Sequence, residues 1–113
     1  MERFRALSII LLLLISPTVT SSTANENVMH PNIIRAINES GDKNEIEFII
    51  QYRPHLTEEH LNTAEGIGVE IISVFEFIEG FYAKGNAEQI KTLSRQDDVY
   101  WIEHNSQMEY YMQ

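Results

Sequence analysis

The sequence contains no cysteine, so no disulfide holds the fold together and no thiol is available for catalysis or metal binding. Basic residues are also scarce: 8 Lys and Arg stand against 17 Asp and Glu, a net charge of −9 at pH 7. Binding to nucleic acid or to an anionic membrane needs lysine and arginine to neutralise phosphates. We therefore expect neither of these partners.

Motifs that carry catalysis are lacking as well. Gly66-Ile67-Gly68 is not followed by the glycine and lysine of a phosphate-binding loop, and no serine lies in a nucleophile elbow. His55 and His60 do not have the i, i+4 spacing of a helical zinc pair. We therefore expect a protein that is not an enzyme, that needs no cofactor and whose histidines lie at the surface or at its rim.

The sequence has one long apolar run, Leu7 to Ile15, and it is shorter than the about 20 residues that span a bilayer. Arg3 and Arg5 precede the run, Pro17 follows it, and small polar residues lead to Ala24. This order is typical of a secretory signal peptide, which we predict over residues 1–24 with cleavage after Ala24. An uncleaved membrane anchor is the alternative reading.

Cleavage at this point leaves one small acidic domain. It removes Glu2, Arg3 and Arg5, so the remaining 89 residues carry 6 Lys and Arg against 16 Asp and Glu, a net charge of −10. We predict a secreted, extracellular protein. Its length suffices for a single domain with a small core. Because no disulfide is present, that core has to supply the stability of the fold.

Polarity and turn residues divide the remaining chain into three parts. Residues 25–44 are predicted to form an N-terminal extension, with a short helix that begins near Pro31 and stops at Gly41. Residues 45–105 form the main domain. Residues 106–113 form a tail with neither a helical stripe nor a strand bounded by turns, and it ends in aromatic and apolar residues.

Alternation and capping signals predict six elements in the main domain. Apolar residues alternate along the first strand, where Glu45 and Glu47 are expected to face solvent. Asn86 and Gln89 have the spacing of a capping box. The predicted elements are a strand over Glu45–Tyr52, a helix from Thr57 to Gly66 or Gly68, strands over Val69–Phe75 and Phe77–Lys84, a helix after Asn86 and a strand over Val99–Glu103.

The order strand, helix, strand, strand, helix, strand is that of the ferredoxin-like α+β fold. We therefore expect an antiparallel four-stranded sheet with two helices on one face, leaving the other face open. Phe81 and Ala83 should point to the helices, and Gly80 should permit a close backbone approach.

Three stretches of the domain resemble the propeptides of subtilisin-like serine proteases and the free-standing inhibitors built on the same domain. The resemblance covers Ile46 to Gln113. The stretches are Glu45-Ile46-Glu47-Phe48-Ile49-Ile50-Gln51-Tyr52, Ile78-Glu79-Gly80-Phe81-Tyr82-Ala83-Lys84 and Val99-Tyr100-Trp101-Ile102-Glu103-His104-Asn105.

The resemblance implies roles for the end of the last strand and for the tail. Glu103 and Asn105, facing the same way on that strand, would cap the N-termini of two helices on the protease surface, although the family has aspartate at the second position. The tail would run through the active-site cleft like a cleaved product, with Gln113 in the primary specificity pocket and Tyr110 in a second apolar pocket. Tyr111 and Met112 would lie between them. A shifted register would place Tyr111 in the primary pocket instead.

These features predict a secreted inhibitor of a subtilisin-like serine protease that is a monomer when free. No catalytic Asp, His and Ser blocks follow the domain in this sequence, so we expect it to act in trans. One alternative is a folding chaperone for a separately encoded protease of this type. Another is a ferredoxin-like module for ligand binding or dimerisation, in which the tail would be dispensable.

Overall fold

The computed structural model describes residues 23–107, which form three helices, four strands and two short 3-10 turns. The helices are α1 (Pro31–Ser40), α2 (Glu58–Ile67) and α3 (Ala87–Ser94), and the strands are β1 (Ile46–Tyr52), β2 (Glu70–Val74), β3 (Gly80–Gly85) and β4 (Val99–His104). The 3-10 turns are Glu26–Val28 and Asn105–Gln107. Within residues 23–107, no helix has the length and apolar character needed to cross a membrane.

Side-chain caps fix where two of the helices begin. At α3, the Gln89 amide N–H donates to Asn86 Oδ1 at 2.9 Å, and the Asn86 N–H donates to Gln89 Oε1 at 2.8 Å. This reciprocal pair confirms the predicted capping box. At α2, Thr57 is the predicted N-cap, and the His60 ring completes a second reciprocal pair by accepting from the Thr57 N–H at 3.0 Å.

The four strands form one antiparallel sheet in the order β2-β3-β1-β4. The α+β class and the four-stranded antiparallel sheet are thus confirmed. The described chain has three helices rather than two, because α1 belongs to the same domain. β3 begins at Gly80 and not at Phe77, since residues 76–79 form a tight bend in which the Gly80 N–H donates to Ile78 O at 2.9 Å.

The hydrophobic core joins one face of the sheet to all three helices. On β1 this face consists of Ile46, Phe48, Ile50 and Tyr52, all buried, as the alternation predicted. The helices contribute Ile33 and Ile37 from α1, Ala64 from α2, and Ile90 and Leu93 from α3. The predicted helix in residues 25–44 is therefore present, and its apolar stripe is part of the core.

The N-terminal segment also covers one edge of the sheet. Met29 forms a parallel bridge with Ile102, and the His30 N–H donates to Ile102 O at 2.9 Å. Exposed strand edges are prone to unwanted pairing, so this bridge protects β4. Upstream, the Asn25 N–H donates to Ser94 Oγ at 3.0 Å, directly after the predicted cleavage point.

Gly80 lies where β3 passes close to β1. A Cβ atom at this position would lie 2.1 Å from Ile50 O, a distance that no side chain tolerates. The predicted close approach is therefore confirmed, and the partner is the neighbouring strand. Phe81 and Ala83, which follow it, are fully buried in the core as predicted.

Candidate functional site

The face of the sheet opposite the helices carries polar and aromatic side chains and is called here the outer face. Strand alternation assigns to it the residues that the core face does not use, and an irregularity in the β1–β4 register at Gln51 and Tyr52 adds Tyr100, which bonds Gln51. In register, Ile49 of β1 lies opposite Tyr82 of β3 and Glu103 of β4, and Gln51 lies opposite Trp101. The outer face is defined by Glu47, Ile49, Gln51, Tyr82, Lys84, Tyr100, Trp101 and Glu103, with Asn105 at its end.

Glu47 accepts hydrogen bonds from two directions on the outer face. The Tyr82 hydroxyl donates to Glu47 Oε2 at 2.6 Å, and Asn105 Nδ2 donates to the same oxygen. The bond to the Glu47 carboxylate stabilises the protonated phenol and raises the pKa of Tyr82, and partial burial acts in the same direction. Glu47 faces away from the core as predicted, but it is half-buried rather than fully solvated.

A second polar cluster lies at the other end of the outer face. The Tyr100 hydroxyl donates to Gln51 Oε1 at 2.6 Å, and the Arg53 guanidinium lies 3.9 Å from the centre of the Tyr100 ring. The neighbouring Trp101 ring packs against the His30 ring in an edge-to-face arrangement, with 5.8 Å between the ring centres. These contacts hold the rings of Tyr100, Trp101 and His30 in fixed positions. Tyr100 and Trp101 are both half-buried residues of β4.

Glu103 and Asn105, the two predicted contact residues in the described chain, both belong to the outer face. Glu103 lies on β4 with 4% of its surface exposed. Asn105 does not continue the strand, because β4 ends at His104, one residue beyond its predicted end, and Asn105 begins a 3-10 turn. Continuing the β1–β4 register would nevertheless place Asn105 opposite Glu47, and its side chain contacts Glu47.

The tail residues Tyr110, Tyr111, Met112 and Gln113 lie outside the described residues, and so do residues 1–22 of the predicted signal peptide. The last described element is the 3-10 turn Asn105–Gln107, hereafter the tail-base turn. It includes Ser106 and Gln107, the first two residues of the predicted tail, and it adjoins the outer face. The described chain therefore defines the point from which the tail departs.

Asn32, which no sequence pattern indicated, contacts the tail-base turn from the helix side. Its Oδ1 accepts from the His104 N–H at 3.0 Å, and its Nδ2 donates to Ser106 Oγ at 3.4 Å. The His30 ring caps the Asn32 N–H at 2.9 Å, which fixes the start of α1. Asn32 and Ser106 are 74 positions apart, so no local spacing could have revealed the pair.

His60 differs from the other histidines by its packing. Its side chain is only 14% exposed. Its ring stacks on the Tyr52 ring, with 4.4 Å between the ring centres, and its Nε2 lies 2.7 Å from Asp98 Oδ2. Burial, with a smaller contribution from Asp98, raises the pKa of Tyr52. His60 therefore lies at the rim of the surface and connects α2 to the segment before β4.

Chemical groups for metal binding are not assembled in the described part of the chain. No group of three or more His, Cys, Asp or Glu side chains there is arranged to hold a metal ion. The features that remain are a polar and aromatic sheet face and a fixed chain exit beside it. Such an arrangement is suited to contacts with another macromolecule.

No family model matches the chain, and no curated protein is significantly similar to it in sequence. Function therefore has to be inferred from the residues and their geometry.

Proposed function

We propose that the protein is a secreted inhibitor of a subtilisin-like serine protease, built on a ferredoxin-like domain of the propeptide type. The observation that carries the proposal is the strand order β2-β3-β1-β4, in which the first and third strands are central and the last strand lies at an edge. Such an order agrees with a split βαβ arrangement. It also brings the end of β4, with Glu103 and Asn105, next to the chain exit.

The outer face would be the surface that docks on the protease. Tyr and Trp are enriched in protein interfaces because their rings bury a large area while their polar atoms stay bonded. Tyr82, Tyr100 and Trp101 are half-buried residues of this kind, and the first two have bonded hydroxyl groups. Fixed rings lose little conformational entropy on binding, which favours a tight complex.

Glu103 and Asn105 would meet helix N-termini of the protease. A carboxylate accepts helix N–H bonds and interacts favourably with the helix dipole. Asn105 uses Nδ2 for the Glu47 carboxylate, which can only accept, so its Oδ1 is the atom that would accept a helix N–H. Both capping atoms would then approach the protease from the outer face.

The tail would enter the active-site cleft beside this docked face. An extended peptide can pair with strand edges in a cleft, which is a form of β-augmentation. Tyr110, Tyr111, Met112 and Gln113 would be the residues in the cleft, with Gln113 in the primary pocket. The tail-base turn adjoins the outer face, so one docking event would bring both surfaces to the protease.

The first test is selectivity among protease classes. Residues 25–113 should inhibit subtilisin-like proteases at least about a hundredfold better than trypsin-like ones, because only the former offer the surface helices that Glu103 and Asn105 would cap. Inhibition constants measured with matched chromogenic substrates check this. Equal inhibition of both classes would contradict the proposal.

A refolding assay separates inhibition from the chaperone alternative. Binding to a native state also stabilises it, so a chaperone of this type would restore activity to denatured protease only when it is added during refolding. For an inhibitor, activity lost on mixing with native protease should stay low over hours. Self-association in size-exclusion chromatography, together with a tail whose deletion has no effect, would instead favour a dimerisation module.

Glu103→Ala should weaken inhibition more than Asn105→Ala at low salt. Only Glu103 brings a charge to the helix-capping bond, and charge-assisted bonds are roughly twice as strong as neutral ones. The difference should shrink at high salt because ions screen the charge. Since Glu103 is buried, Glu103→Gln serves as the control that keeps its shape, and thermal midpoints must accompany each inhibition constant. A larger loss from Asn105→Ala would show that the contact is assigned wrongly.

A further inference from the structure

The tail-base turn is held from two opposite sides by elements distant in sequence. On the helix side, Asn32 of α1 bonds the His104 N–H and Ser106 Oγ. On the sheet side, Glu47 of β1 bonds Asn105 Nδ2 and is itself fixed by the Tyr82 hydroxyl. The turn is also bonded to the end of β4, because the Ser106 N–H donates to His104 Nδ1 at 3.2 Å.

We propose that Asn32 and Glu47 are positioning residues that set the direction in which the chain leaves β4 toward residues 108–113. This inference rests on the proposed function, in which those residues enter the protease cleft. In this scheme Asn32 lies outside the docking surface, and Glu47, although it belongs to the outer face, has its effect through the bond to Asn105. They act through the turn, and α1 is thereby part of the inhibitory unit rather than an appendage to it.

The physical reason is the entropy of ordering a chain. Fixing the backbone of a residue costs conformational entropy, so a turn that is already fixed before binding removes that cost from the complex. Beyond His104 the strand pairing stops, and side-chain bonds take over from the backbone ladder. Asn105 replaces its missing ladder partner with a bond to Glu47, which would lie opposite it in the continued register.

Both bonding side chains are well placed for this role. Asn32 is half-buried in the first turn of α1, and Ile33, the next residue, is fully buried and keeps that turn against the sheet. Glu47 lies in β1 and pairs with Lys84 of β3, and the next residue pairs with His104 of β4. Each anchor is therefore rigid, and the turn between them inherits that rigidity.

The experiment compares two substitutions with matched controls in the full 25–113 chain. Asn32→Ala and Glu47→Ala should each raise the inhibition constant about fivefold to tenfold, which corresponds to the loss of one or two hydrogen bonds. Asn38→Ala on the exposed side of α1 removes the same side chain, and Glu45→Ala just before β1 removes the same charge. Both controls should stay within about twofold of the unchanged protein.

A positioning role also predicts coupling to the tail. In the Tyr110→Ala background the main tail anchor is gone, so Asn32→Ala and Glu47→Ala should each cost less than twofold there, as a double-mutant cycle measures. Thermal midpoints should change little. If Asn32→Ala and Glu47→Ala weaken inhibition equally with and without Tyr110→Ala, the two residues do not act through the tail, and the proposal is wrong.

Amide hydrogen exchange tests the anchors without reference to any protease. Asn32→Ala should speed exchange of the His104 and Ser106 amides about tenfold or more, and Glu47→Ala should speed that of Ser106, while Asn38→Ala leaves them unchanged. Unchanged exchange at both amides would overturn the inference even if the protein inhibits. Failure of the unchanged protein to inhibit any subtilisin-like protease, with the exchange pattern as expected, would reject the proposed function alone.

Discussion

Ile33→Ala should lower the free energy of unfolding by about 2–5 kcal/mol, the usual cost of removing a fully buried isoleucine side chain. Ile33 has no exposed surface and lies in the same core as the sheet and the other two helices. The loss should be severe here because a small domain without disulfides has a total stability of only about 5–15 kcal/mol.

Urea unfolding monitored by circular dichroism measures this effect on residues 25–113. Asn38→Ala, on the exposed side of the same helix, is the control and should change the stability by less than about 0.5 kcal/mol. A loss for Ile33→Ala as small as that of the control would mean that α1 does not belong to the core. Inhibition by the folded fraction should persist, which separates this stability effect from the anchoring by Asn32.

Local signals in the sequence predicted the elements well because their causes are local. The alternation along β1 follows from the period of a strand with one face on a core, and all four alternating apolar residues are buried. The Asn86–Gln89 capping box depends on residues three positions apart. Gly80 was identified by its position within a strand, where glycine marks a close approach.

The placement of α1 could not be predicted in the same way. Ile33 and Ile37 have the spacing of one helical face, which indicates a helix but not the surface on which it packs. That surface is formed with β1 and β4, and β4 ends some 70 positions later in the chain. The parallel bridge from Met29 to Ile102 likewise joins two segments that no short pattern relates.

The candidate site shows the same limit at the level of single side chains. Glu47 looks solvated from its alternation alone, yet its partners Tyr82 and Asn105 are 35 and 58 positions away. Only the register of β1 with its two neighbours brings them together. β4 continues one residue beyond its predicted end at Glu103, to His104, and Asn105 begins the tail-base turn.

Tyr110→Ala should have the largest effect on inhibition of any tail substitution. In an extended peptide, alternate side chains point to opposite sides, so Tyr110 and Met112 would face one way and Tyr111 and Gln113 the other. A ring that enters a pocket is fully desolvated, and aromatic rings gain most from this. The expected cost is at least about 2 kcal/mol, or roughly thirtyfold in the inhibition constant.

The measurement pairs inhibition constants with thermal midpoints for Tyr110→Ala and Tyr111→Ala. Tyr111→Ala should cost less because its ring would lie near the rim of the cleft, where water still reaches it. In the proposed arrangement the tail contacts the protease and not the core of the domain, so neither change should move the thermal midpoint. A larger loss from Tyr111→Ala would indicate the shifted register, with Tyr111 in the primary pocket. If neither substitution matters while the domain stays folded, the tail does not enter the cleft, and the inhibitor proposal is wrong.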